Sequence, residues 1–195
     1  MSDILCITNR ALCEEDFLER IEKIAKCHPA GIVLREKDLL ETEYRALAEQ
    51  VMDICKKQKV QCILHNFTEV AEAMHAEALH LPLSKLRELP AEKRAGYKIL
   101  GASCHSVEEA KEAEQLGCTY IFAGHIFATD CKKGVPPRGI SFLQEMCEAV
   151  MIPVYAIGGI SERNIAEVRK AGAAGACVMS GLMRCQNPER YLRSF

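Results

Sequence analysis

The stretch Glu114–Gly124, EQLGCTYIFAG, runs from a polar helix end through a glycine into a block of aromatic and β-branched residues. Gly117 is suited to the left-handed conformation that stops a helix, and Thr119, Tyr120, Ile121 and Phe122 prefer an extended, half-buried surface. The same order recurs at Val168–Gly181, VRKAGAAGACVMSG, and more loosely at Ala73–Pro82, AMHAEALHLP. A repeated unit of helix, small residue and apolar strand implies a parallel sheet covered by helices.

Extending this reading in both directions gives strands at ILCIT, GIVLR, VQCILH, EALHL, KILGAS, TYIFAGH, PVYAIG and GACVMS. Between them lie helical patterns. Tyr44, Leu47, Ala48, Val51, Ile54 and Cys55 share one face, and Ser106 with Glu109 forms a capping box that opens a helix ending at Gly117. About eight such units predict a compact TIM (β/α)8 barrel occupying residues 1–195 as a single domain. A doubly wound open sheet is the alternative, but no G-x-G-x-x-G turn follows the first strand.

The 25 Lys and Arg balance 27 Asp and Glu, with no basic block of the kind that displaces counterions from a nucleic acid. The longest apolar stretch, AVMIPVYAIGGI, is too short for a membrane span and is interrupted by Pro153. Neither nucleic acid nor membrane is expected as a partner. The eleven cysteines include no C-x-x-C pair, and MSDILCITNR does not read as a signal peptide, so reduced thiols and a cytoplasmic location are expected. Several of these thiols sit in apolar runs, where sulfur packs as a small hydrophobe rather than as a metal ligand.

In a barrel, reactive groups belong at the C-terminal ends of the strands. Arg35 and Lys37 follow the second strand, His65 and Asn66 the third, His80 the fourth, Ser103 and His105 the fifth, and His125 the sixth. The seventh and eighth strands end in IGGIS and VMSG. Glycines there let backbone amides approach a phosphate, although a plain turn also needs glycine. Arg35, Lys37, Lys132 and Arg138 add cations, and together these features imply a small anionic substrate. His125, between a glycine and a polar loop, is the expected proton carrier; His65, His80 and His105 have equal claim on spacing alone.

LREK, SCHSVEEA, AIGGIS and VMSG, in this order, resemble the thiamine phosphate synthase superfamily over nearly the whole chain, and FAGHIFATDCKKG followed by RGIS resembles its thiazole tautomerase branch. This resemblance implies an isomerase of thiamine biosynthesis that aromatises a carboxythiazole phosphate. It implies His125 as the acid/base group, Gly158, Gly159, Ser180 and Gly181 as the phosphate site, and Arg35, Lys37, Ser103 and Lys132 facing the ligand. No metal and no cofactor are expected; the oligomeric state, including a homo-oligomer, stays open.

The alternative is the synthase, which joins a pyrimidine pyrophosphate to a thiazole phosphate with Mg²⁺. Its two metal-binding aspartates are matched here by Asn66 and Lys85, and Val33 replaces a glutamine. A further alternative is a regulatory protein that binds a thiazole phosphate without turnover.

Overall fold

A computed structural model describes residues 2–195. In chain order the elements are β1 (Ile4–Ile7), α1 (Phe17–Ala25), β2 (Gly31–Leu34), α2 (Glu41–Gln58), β3 (Cys62–His65), α3 (Thr68–Ala73), β4 (Ala78–Pro82), α4 (Leu83–Glu88) and α5 (Ala91–Arg94). They continue with β5 (Ile99–Cys104), α6 (Val107–Gln115), β6 (Tyr120–Gly124), α7 (Gly139–Ala149), β7 (Val154–Ile157), α8 (Ile165–Lys170), β8 (Gly175–Val178), α9 (Ser180–Arg184) and α10 (Pro188–Arg193). The strands are parallel, follow chain order and close into an eight-stranded barrel with helices between them, a TIM-barrel-like α/β fold.

All eight strands appear where the apolar runs place them. β1, β2, β6 and β8 are buried along their whole length, as expected for strands covered on both faces. The chain divides into two compact units, one of Met1–Leu79 with Val178–Phe195 and one of His80–Cys177.

In the first unit β1, β2 and β3 pair in parallel, with Cys6 opposite Ile32 and Val33 opposite Ile63. α1 packs against α2 and α10. Asp16 caps α1 by accepting the amides of Leu18 and Glu19. Arg20 is buried on this helix and donates from Nη1 to the Cys185 carbonyl at 2.6 Å, while its Nε meets Glu15 at 2.7 Å. A buried guanidinium thus keeps its partners, as its desolvation requires.

In the second unit β5, β6, β7 and β8 pair in parallel, with Ser103 opposite Phe122 and Phe122 opposite Tyr155. α6 begins at Ser106, whose hydroxyl accepts the Glu109 amide at 3.2 Å, and Gly117 follows its end at φ +91°. The Glu109 carboxylate reaches back to the His105 amide, one residue before the cap.

All eleven cysteines are free. Burial pushes the Cys104 and Cys118 thiols up to about 12 and that of Cys147 to about 11, so they pack as neutral groups. Among the described residues no helix is long and apolar enough to cross a membrane.

Candidate functional site

The first unit builds a polar cluster where β1 and β2 end. Glu36 is only 2% exposed and accepts from the Thr8 hydroxyl at 2.7 Å, the Arg10 amide at 3.0 and 3.1 Å, and Arg10 Nη1 at 3.2 Å. Arg10 also grips Asp38 with both terminal nitrogens, at 2.7 and 2.6 Å. Thr8 in turn accepts the Arg35 amide at 2.9 Å. The buried carboxylate therefore clamps the segment after β1 to the segment after β2 and sets the backbone from which Arg35, half-buried, and Lys37, exposed, project.

Tyr44 on α2 reinforces the same edge: its buried hydroxyl donates to the Leu34 carbonyl at 2.7 Å and accepts the His65 amide at 2.9 Å. Asn66 follows with φ +74°, a left-handed conformation that asparagine tolerates better than most residues.

Ser180 and Gly181 open α9 in this unit. A Cβ on Gly181 would lie 1.9 Å from the Tyr191 hydroxyl, so the packing of α10 on α9 already demands glycine there. A cleft of about 680 Å³ in the same unit lies beside α1 and α10, near Cys27, His28 and Pro188, which places it before β2 rather than at strand C-terminal ends. Its cations are engaged: Lys23 with Glu15, Lys26 with Glu22, and Arg193 with Glu189.

The second unit contains Ser103, His125, Gly158 and Gly159. Fully buried His80, at 0% exposure, holds the Ser103 hydroxyl at 2.9 Å from Nε2 and the Tyr120 hydroxyl at 3.0 Å from Nδ1. His80 also stacks on Phe122, centroids 3.9 Å apart.

His125 follows β6 and is 8% exposed, with Nε2 3.2 Å from the Val135 carbonyl. Its own carbonyl accepts the Arg138 amide and that of Ile126 accepts the Gly139 amide, both at 3.0 Å. These bonds tie both ends of the 127–138 loop to the end of β6. His105 Nδ1 meets the Gly124 carbonyl at 2.9 Å. Lys132 is exposed on the loop, in a 3-10 turn capped by Thr129, and the Arg138 guanidinium lies 5.1 Å from the Phe142 ring centroid.

Gly158 and Gly159 have φ of +99° and +68°, and added Cβ atoms would lie 2.3 Å from His125 Cβ and 2.5 Å from the Ala128 carbonyl oxygen. The turn is therefore packed directly under the start of the loop. Ile126 and Phe127 donate to the carbonyls of Ile157 and Gly158, and Asn164 accepts the Ser161 amide while donating to the Gly159 carbonyl.

Thr8, Arg10, Glu36, Asp38, Tyr44 and Tyr120 were not singled out by sequence as site residues. The one local signal was Glu36, which sits between two cations and shares an alternating face with Leu34, a position where an acid needs buried partners.

A family model described as thiamine monophosphate synthase matches residues 4–182. The chain is 36% identical over 182 residues to "Thiamine-phosphate synthase 2" of Streptococcus pneumoniae serotype 4, covering 93% of this chain and 87% of that protein. It is 33% identical over 194 residues to "Thiamine-phosphate synthase" of Methanobrevibacter smithii, covering 97% and 93%. The solved structure of thiamine phosphate pyrophosphorylase from Pyrococcus furiosus superposes with a TM-score of 0.84 at 29% identity, covering 98% of this chain and 92% of that one.

These relationships overturn the thiazole tautomerase and isomerase expectation. That reading rested on the 122–141 segment and on Asn66, Lys85 and Val33 departing from the synthase pattern, whereas the similarity to proteins named as synthases extends over nearly the entire barrel. A short stretch around one loop reports how that loop is seated, and it does not by itself carry the reaction.

Proposed function

The chain belongs to the thiamine monophosphate synthase family, and from that premise we propose that it is a transferase that joins a pyrimidine carrying a methylene diphosphate to a thiazole phosphate. The observation that carries the proposal is the identity to proteins named thiamine-phosphate synthase across more than nine-tenths of the chain. In this reaction the bond between the methylene carbon and the diphosphate oxygen breaks, and its electron pair leaves with the diphosphate. The thiazole nitrogen supplies the pair for the new C–N bond. No proton moves in that step, so a proton shuttle has no task in it.

The residues take roles that follow from this chemistry. In the first unit Arg35 and Lys37, set by the Thr8–Glu36–Arg10 clamp, oppose phosphate charge; Ser180 and Gly181 offer a hydroxyl and a backbone amide where β8 passes into α9. In the second unit the Gly158–Gly159 turn offers amides to a phosphate, Ser103 offers its hydroxyl, and Lys132 adds charge from the loop. His125 seats that loop through the Val135 carbonyl rather than moving a proton between carbons.

Mg²⁺, which the synthase pattern implies, is not matched by the donors present. Asn66 supplies an amide and Lys85 an ammonium where that pattern has aspartates, and among the described residues no group of three or more His, Cys, Asp and Glu could hold a metal ion. Hard divalent cations favour anionic oxygen, so Asn66 and Lys85 do not fit the aspartate positions of that pattern.

The test is to supply both substrates together, in buffer containing Mg²⁺, and follow thiamine phosphate and released diphosphate by chromatography. Equal amounts of the two products support the transferase. Absence of both at saturating substrate overturns it.

A further inference from the structure

The second unit contains a chain of buried hydrogen bonds whose direction is fixed by its far end. Tyr120 on β6 is 5% exposed, and its ring occupies the space where a Cβ on Gly101 would sit, 2.1 Å from Cζ. Its hydroxyl lies 3.0 Å from His80 Nδ1. Burial pushes this phenol well above its ordinary range, so it keeps its proton. A buried hydroxyl that keeps its proton has to donate it, because an unpaired donor in the interior is costly.

Donation from Tyr120 makes Nδ1 of His80 the acceptor. In the neutral imidazole Nε2 then carries the single proton, 2.9 Å from Ser103 Oγ. The stack on Phe122, with 25° between the ring planes, holds the imidazole in this orientation. Ser103 thus accepts from His80, and its own proton is turned away from the imidazole. Ser103 is half-buried near the C-terminal end of β5, whereas His80 and Tyr120 are buried.

We propose that Tyr120 and His80 are positioning residues that lock the Ser103 hydroxyl as a hydrogen-bond donor toward the bound substrate, so that this position selects an acceptor atom such as an unprotonated ring nitrogen or an anionic oxygen. The polarity of the chain is a property of the free protein, while its contact with substrate rests on the transferase reading above. Gly101 belongs to the device, since any side chain there would expel the Tyr120 ring.

The two parts are tested separately. In protein labelled with ¹⁵N-histidine, the His80 ring is identified by its through-space contacts to Phe122, and its two nitrogen shifts are read at neutral pH. A protonated Nε2 with a bare Nδ1 is expected; the opposite tautomer, or an imidazolium, overturns the polarity whatever reaction the protein catalyses. For the substrate contact, kcat/KM for thiamine phosphate formation is measured for Ser103→Ala, Tyr120→Phe and the double variant.

Loss of the Ser103 hydroxyl is expected to lower kcat/KM about 10-fold and Tyr120→Phe about 3- to 10-fold, the range of one neutral hydrogen bond. The double variant should be no worse than Ser103→Ala alone. Losses that multiply overturn the positioning role.

Discussion

Replacing Tyr44 with Phe removes one oxygen atom that two backbone groups depend on. The hydroxyl donates to the Leu34 carbonyl at 2.7 Å and accepts the His65 amide at 2.9 Å, and the side chain is fully buried. Phe keeps the ring and its stack on Phe67, centroids 4.1 Å apart, so little packing is lost. What is lost is the hydroxyl that joins a carbonyl at the end of β2 to an amide at the end of β3. At about 1–3 kcal/mol for each of these two buried groups, the variant should lose roughly 2–6 kcal/mol. With a urea m value of about 2 kcal/mol/M, the far-UV circular dichroism midpoint should fall by roughly 1–3 M at unchanged slope. Arg35 follows Leu34 directly, so KM should rise as well. A midpoint within about 0.3 M of the parent would refute the reasoning, because it would mean that these backbone groups are satisfied without the hydroxyl.

Gly158→Ala should cost about 2–4 kcal/mol and raise KM, because the position has φ +99° and the new Cβ would lie 2.3 Å from His125 Cβ; thermal unfolding and initial rates check both. Thr8→Val should cost about 1–3 kcal/mol in urea unfolding, since it removes both the donor to Glu36 and the acceptor for the Arg35 amide. His125→Asn should lower kcat by less than about 10-fold in the synthase assay, whereas loss of a general acid/base typically costs 10²–10⁴-fold.

Lys23, with Arg20, holds Glu15 below the usual carboxylate range, and Arg10 does the same for Asp38. A depressed folded pKa means that the folded state binds fewer protons. The stabilisation is therefore complete above about pH 5 and is lost as pH falls from there through the depressed folded values. Glu15→Gln should flatten the acid limb of a stability-against-pH curve; an unchanged limb would count against this linkage.

The architecture is legible in local sequence patterns. Each strand of a parallel barrel is buried on both faces and each helix on one, so the pattern of apolar runs and helical periods carries the fold locally, from ILCIT at β1 to GACVMS at β8. The Ser106 cap and the Gly117 stop were likewise legible, because their partners lie within a few residues. The reaction was not legible from the 122–141 segment, whose bonds to Ile157 and Gly158 and back from Arg138 and Gly139 serve to seat a loop. The partners of the polar groups come from contacts made in the fold. Glu36 became a clamp through Thr8 and Arg10, and His80 became the centre of a hydrogen-bonded chain through Tyr120 and Ser103. These partners are 23 to 40 residues away in the chain, and no local pattern encodes which of them a buried group will find. Gly101, Gly158 and Gly181 make the same point, since what forbids a side chain at each is an atom brought there by folding: the Tyr120 ring, His125 and the Tyr191 hydroxyl.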